Sequence, residues 1–183
     1  MTIWFNPEKK SIQMLKDGNL EGLRWIYDNF SKRILNQCYR ILLSREQAED
    51  TMQDIFLKLP ETIAGFRSDS GLGTWLFKVA HNMCLTRLEQ AKNRYKLEVE
   101  NVEDIAPQGQ AVPYEVHDML NRALAVLDPE TRSLLWLKDG EGVPIHELSK
   151  SLNLPEGTIK AKLSRARTRL RELLEKESEY VQA

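Results

Sequence analysis

Apolar residues recur along this chain with helical spacing, and the clearest run lies near its C-terminal end. Ile159, Leu163, Ala166, Leu170 and Leu174 step by four, three, four and four, which puts them on one stripe of an α-helix and predicts that the stripe is buried. The opposite side of the same wheel carries a lane of small residues, Gly157, Ala161, Ser164 and Thr168. Lys160, Arg167 and Arg171 flank it on one side, Lys162, Arg165 and Arg169 on the other. Small residues let a helix lie deep in a groove while long cationic arms reach phosphates, so this helix has the shape expected in the major groove of DNA. A solvated charged face is the plainer reading of such a run. Against it stands the short amphipathic segment Pro144 to Leu152, joined to the helix through Asn153 and Leu154, which gives the pair the layout of a helix-turn-helix. Pro155 suits a first helical position.

Earlier in the chain, Leu20 to Leu43 reads as a long helix striped by Leu23, Tyr27, Phe30, Ile34 and Cys38, with Trp25 and Tyr39 off the stripe and facing a second helix. Ser44 and Gln47 have capping-box spacing for the next helix. That helix turns Ala48, Met52, Ile55, Phe56, Leu59 and Ile63 toward a core, and Glu46, Glu49, Asp50, Gln53 and Asp54 away from it. Gly65 to Gly73 (GFRSDSGLG) is rich in turn formers and predicts an exposed loop, with Ser70 or Thr74 capping the helix beyond it. Leu72 to Arg94 places Leu76, Val79 and Met83 on a stripe beside Trp75, Phe77 and His81, and ends in the basic run Arg87, Lys92, Arg94 and Lys96. A small polar loop feeding an aromatic and basic helix has the ingredients for holding single-stranded nucleic acid. Ordinary core is the alternative for Trp75 and Phe77.

Leu97 to Pro113 breaks every period and predicts a linker. Beyond it, Tyr114 to Leu127 and Pro129 to Lys138 read as two helices, with Asp128 as N-cap of the second and Asp139 to Gly142 ending it. Nothing reads as a strand. The expectation is an all-α chain of two small helical domains, residues 1–96 and 114–183, joined by a flexible linker, 97–113.

The net charge of −1 gives no global case for nucleic acid, so any such role rests on segregated charge. Lys160 to Arg171 holds six cations and no acid, while Glu98 to Asp104 holds four acids and no cation. The two cysteines, Cys38 and Cys84, form no disulfide framework. His81 and Cys84 lie one turn apart but lack the further ligands of a metal site, so no metal or cofactor is expected. No run of eighteen apolar residues exists and MTIWFNPEKK lacks the apolar centre of a signal peptide, so a reducing cytoplasm without membrane insertion is expected. Glu103, Asp104 and the scattered histidines have no spacing that joins them as acid and base, and no catalytic residue is expected.

With these motifs in place, the sequence resembles the extracytoplasmic-function group of bacterial sigma-70 factors, the RNA polymerase subunits that choose promoters, over about Asn19 to Leu174. AEDTMQDIFLKL (Ala48 to Leu59) resembles the part of sigma domain two that contacts the clamp helices of polymerase β′. GLGTWLFKVAHNMCLTRL (Gly71 to Leu88) resembles the part that melts and reads the minus-ten element. Ala123 to Leu173 resembles sigma domain four, which reads the minus-thirty-five element. The resemblance implies that Asp50, Gln53, Asp54 and Phe56 dock on polymerase, and that Phe66, Arg67, Ser68, Asp69, Trp75, Lys78, Asn82 and Arg87 serve the opened minus-ten strand. It implies that Glu156, Gly157, Thr158, Lys160, Ala161, Lys162, Ser164, Arg165 and Arg167 meet the minus-thirty-five duplex. Its implied partners are core RNA polymerase, through the β′ clamp helices and β flap, promoter DNA and an anti-sigma factor. Thr86 and Glu89 stand where many relatives carry an aspartate and an arginine. A stand-alone helix-turn-helix regulator is the alternative, and would read a palindromic operator.

Overall fold

The computed structural model describes residues 6–68, 70–99 and 123–182, and among these there is no strand. Helix α1 (Pro7–Lys16) starts where the Asn6 side chain accepts the Lys9 N–H at 3.2 Å, with Pro7 in the first turn. Helix α2 (Glu21–Leu42) crosses it so closely that a Cβ at Gly22 would lie 2.3 Å from the Ser11 carbonyl oxygen. Helices α3 (Arg45–Thr62) and α4 (Leu72–Val99) also pack on α2, which is the hub of the N-terminal half. Because α2 has neighbours on several sides, its buried arc is wider than the predicted stripe and is displaced from it. Ile26, Phe30, Ile34, Gln37, Cys38 and Ile41 are buried, whereas Tyr27 is 43% exposed and meets Phe56 edge-on, with ring centroids 4.9 Å apart.

Ser44 caps α3 as expected, its Oγ accepting the Gln47 N–H at 3.3 Å. A 3-10 turn (Ile63–Gly65) then leads into a loop shorter than the predicted one. Gly73 already lies in the first turn of α4, where a Cβ would press on the Phe30 ring at 3.1 Å, so this glycine serves close packing. Helix α4 also runs to Val99, past the expected start of the linker. The rest of that linker, and residues 114–122 of the predicted helix beyond it, lie outside the described residues.

Residues 123–125 are helical and belong to the predicted helix before Asp128; α5 (Pro129–Leu135) follows, capped by Asp128, whose Oδ1 accepts the Thr131 N–H at 2.9 Å. The helix widens into a π-type turn (Trp136–Gly140), and Gly142, at φ +70, redirects the chain. Helix α6 (Ile145–Leu152) ends at Asn153, which adopts a left-handed φ of 55. Helix α7 (Glu156–Gln182) comes next. Pro155 precedes its first turn, and its carbonyl accepts the Ile159 N–H at 3.1 Å, so the proline acts from the capping position one residue earlier than expected.

The two halves share a core. Cys38, Ile41, Leu76 and Phe77 belong to the same contiguous buried cluster as Leu134, Leu137, Leu148 and Ile159. Buried polar contacts cross the same boundary: Arg132 Nη2 donates to the Ile41 carbonyl at 2.8 Å, and His81 Nδ1 lies 2.8 Å from Ser133 Oγ. Cys38 and Cys84 are free and buried; their hydrogen bond, with burial second, pushes the Cys84 thiol up and leaves it unreactive. Among the described residues no three metal-ligating side chains come together, and no helix is long and apolar enough to cross a membrane.

Candidate nucleic-acid interface

Helix α7 is two-faced. Ile159, Leu163, Ala166 and Leu170 are buried, Leu170 in a cluster with Ala123 and Leu124, while Glu156, Gly157, Thr158, Lys160, Ala161, Ser164, Arg165, Arg167 and Thr168 are exposed and Lys162 is half-buried. The small-residue lane therefore faces solvent. Several of its cationic flanks are already engaged by carboxylates of the same chain. Arg167 makes a two-pronged pair with Asp139, at 2.7 and 3.0 Å, which raises its guanidinium pKa further. Lys162 Nζ donates to Glu130 at 2.5 Å, and Lys160 lies 3.3 Å from Glu156, one turn back. The exposed pairs of Arg167 and Lys160 are weak and salt-screened, so a phosphate can displace the carboxylate there at little cost, whereas the Lys162–Glu130 pair is partly buried.

In the N-terminal half, the loop and the start of α4 gather a second set. Arg67, Ser68 and Lys78 are exposed, and Trp75 is half-buried. Phe66 is only 4% exposed: its ring stands edge-on to Trp75 at 5.6 Å, and its carbonyl accepts from Lys16 Nζ at 2.9 Å. Phe66 thus forms the floor under the loop and does not project from it. Asp69 lies outside the described residues. Arg67, Ser68, Ser70, Trp75 and Lys78 line a cavity of about 390 Å³ whose opposite wall is His146, Glu147, Lys150 and Ser151 of α6.

Asn82 is exposed one turn further along α4, in a different groove of about 540 Å³ between α3 and α4, with Thr86, Arg87 and Arg94. In that groove Arg87 pairs with Asp54, two side chains expected to serve different partners. Asn82 and Arg87 are therefore separated from the cavity under the loop.

Asp50 and Gln53 are exposed on α3, and Phe56 is buried, with Tyr27 against its ring. Beside them the structure reveals an apolar groove of about 430 Å³ formed by Leu20, Leu23, Tyr27, Gln53, Phe56 and Leu57. Leu57 is 74% and Leu20 62% exposed, so the groove presents an apolar patch to solvent. Sequence reasoning missed both. The available signal was that Leu57 falls outside the buried set of its own helix.

The sequence matches the family models for sigma-70 region 2 over residues 26–94 and sigma-70 region 4 over residues 117–170. It is 32% identical over 171 residues to the ECF RNA polymerase sigma factor SigM of Mycobacterium tuberculosis, covering 91% of this chain and 86% of that protein. It is 27% identical over 179 residues to SigW of Bacillus subtilis, covering 91% and 96%. Its fold is similar to that of the sigma factor RpoE from Bartonella quintana, solved in complex with the anti-sigma factor NepR, with a TM-score of 0.68, 23% identity and coverage of 83% and 96%. CnrH, solved with the cytosolic domain of CnrY, gives a TM-score of 0.67 at 19% identity, covering 93% and 98%. From the two regional matches and the near full-length likeness to SigM, the chain belongs to the extracytoplasmic-function group of sigma-70 RNA polymerase sigma factors.

Proposed function

We propose that this chain binds core RNA polymerase and directs it to a particular class of promoters, reading the minus-thirty-five duplex with α7 and holding the opened minus-ten strand with the loop and first turns of α4. The observation that supports this best is α7 itself: its apolar stripe is buried while Gly157, Ala161 and Ser164 form an open lane edged by cations. The residues assigned to the duplex are Glu156, Gly157, Thr158, Lys160, Ala161, Lys162, Ser164, Arg165 and Arg167. Those assigned to the strand are Arg67, Ser68, Asp69, Trp75 and Lys78, with Phe66 as support, and Asn82 and Arg87 in the adjoining groove.

The polymerase-docking face is Asp50, Gln53, Asp54 and Phe56, extended by Leu20, Tyr27 and Leu57. An apolar centre with a polar rim is the composition of a specific interface, and its partner here is the β′ clamp helices. The polymerase performs the chemistry, so the chain itself contributes recognition and no catalytic group. It works in the cytoplasm, divided into an N-terminal and a C-terminal domain near residues 97–113, and an anti-sigma factor is its regulating partner.

Transcription with purified core enzyme over a genomic library, with start sites mapped, is the direct test. Transcripts starting downstream of a shared pair of elements are expected, and their absence would overturn the reading. Asp50→Arg and Leu57→Asp should each weaken core capture about tenfold or more, the effect of losing about 1.4 kcal/mol at a central contact. Retention of core by both variants would move the docking face elsewhere.

A further inference from the structure

Helix α1 precedes the region 2 match, which begins at residue 26, and none of the side chains assigned to polymerase or DNA lies on it. Its last residue nevertheless reaches the base of the minus-ten loop. Lys16 Nζ donates to the Phe66 carbonyl at 2.9 Å, across 50 positions of sequence, and lies 5.9 Å from the centroid of the Phe66 ring. The Phe66 N–H donates to the Ile63 carbonyl at 3.0 Å, which closes the 3-10 turn, and its ring stands edge-on to Trp75. Phe66 is therefore fastened at its amide, its carbonyl and its ring, and the fastening at the carbonyl comes from α1. Two residues on, Ser68 holds a φ of 61, a left-handed conformation that a residue with a Cβ keeps only where its surroundings impose it.

Lys16 is itself placed by packing that has no part in DNA binding. Ile12 and Leu15 are buried, and α2 approaches so closely at Gly22 that a Cβ there would lie 2.8 Å from the Leu15 nitrogen. The Asp17 N–H bonds the Gln13 carbonyl at 2.9 Å, and Gly18, at φ +81, then turns the chain away.

We propose that Lys16 is a positioning residue for capture of the minus-ten strand: held on α1, its ammonium fixes the Phe66 carbonyl, so that Arg67 and Ser68 are presented to the strand in one conformation. The proposal rests on the assignment of that loop to the minus-ten strand. Lys16 acts through Phe66, while Arg67 and Lys78 are the cations that meet phosphates. A charged donor on a carbonyl makes the stronger kind of hydrogen bond, and a loop set before its ligand arrives loses less affinity to ordering. If freeing the carbonyl leaves the loop in its competent shape in about one molecule in ten, the apparent affinity for the strand falls about tenfold.

The test uses polymerase holoenzyme assembled with the full chain. Its probe is a promoter fork whose single-stranded minus-ten segment carries a fluorescent base analogue that brightens on unstacking. Lys16→Met keeps most of the stem and removes the donor, and Lys16→Arg restores a donor at the same place. Lys16→Met should bind the fork about tenfold more weakly, with a dimmer analogue, and Lys16→Arg should recover most of the loss. Core capture and binding of a minus-thirty-five duplex should be unchanged in both. The salt dependence separates positioning from direct contact. A positioning residue leaves the slope of log affinity against log salt as it was, whereas a lost phosphate contact makes it shallower by about 0.7. Unchanged fork binding by Lys16→Met, a shallower slope, or a loss that Lys16→Arg leaves unrecovered overturns the proposal. Arg67→Ala, measured beside them, reports on the loop assignment. If it weakens the fork while Lys16→Met does not, the positioning role alone is lost; if neither has an effect, the assignment of the loop falls with it.

Discussion

Helices α4 and α7 are almost equally long, 28 and 27 residues, yet they are held in opposite ways. Helix α7 packs along one side, and its buried residues Ile159, Leu163, Ala166 and Leu170 keep to a narrow stripe. Helix α4 is clasped by α2 and α3 from one half and by α5 and α6 from the other, and Leu72, Leu76, Phe77, Ala80, His81 and Cys84 are buried around a broad arc. A helix packed along one side keeps a free face for a ligand. A helix clasped from both halves uses most of its circumference for the fold over residues 72–88, and its exposed residues lie along one edge there and in the turns beyond Leu88.

The sharpest way to break this contrast is within α7. Leu163→Ala empties a buried site and should cost about 2–5 kcal/mol in urea unfolding. Ser164→Ala, one residue away on the open lane, should change stability by no more than about 0.5 kcal/mol, while lowering the affinity of polymerase holoenzyme for its minus-thirty-five duplex. Equal melting of the two variants would mean that α7 lacks the separation of faces that gives it a reading surface.

The same contrast explains how much of the molecule was legible in the chain. The stripe and lane of α7, the caps at Ser44 and Asp128, and the helix-turn-helix layout are local, because each depends on residues within a turn or two of one another. The groove at Leu20 and Leu57 is non-local and left only a faint trace, a leucine outside its helix's buried set. The exchange of Tyr27 for Ile26 depends on α2 having neighbours on several sides, which periodicity does not count. Thr74 looked like a cap candidate, and its hydroxyl instead reaches Glu147, 73 positions away; likewise Asp54 and Arg87 meet across two helices. Nothing in the spacing of either pair announces the contact.

On α4 the corresponding probe is overpacking. Ala80 is fully buried in the clasped helix, so Ala80→Leu should cost about 1–3 kcal/mol as its neighbours shift to make room. The matched change on the open helix, Ala161→Leu, adds its side chain to solvent and should leave unfolding unchanged while obstructing the lane. A tolerant Ala80, with an unshifted midpoint, would show that α4 is less tightly held between the halves than its burial implies.

The smallest effect concerns His81, which lies on the clasped side of α4 with its Nδ1 against the Ser133 hydroxyl. Burial holds its pKa below the ordinary 6.5, and the Glu130 carboxylate, itself tied to Lys162, works in the opposite direction. The folded chain therefore favours the neutral ring. This contribution is present in full above pH 6.5 and is lost as pH falls below that value, because the unfolded chain takes up the proton more readily. Chemical denaturation at pH 7.5 and 5.5 should show a larger loss of stability for the wild type than for His81→Gln, whose side chain keeps polar capacity but does not titrate in this range. The comparison between variants removes the titration of the other two histidines, which both proteins share. Parallel pH dependence in the two would place the sensitive group elsewhere and make the contact between His81 and Ser133 one of packing alone.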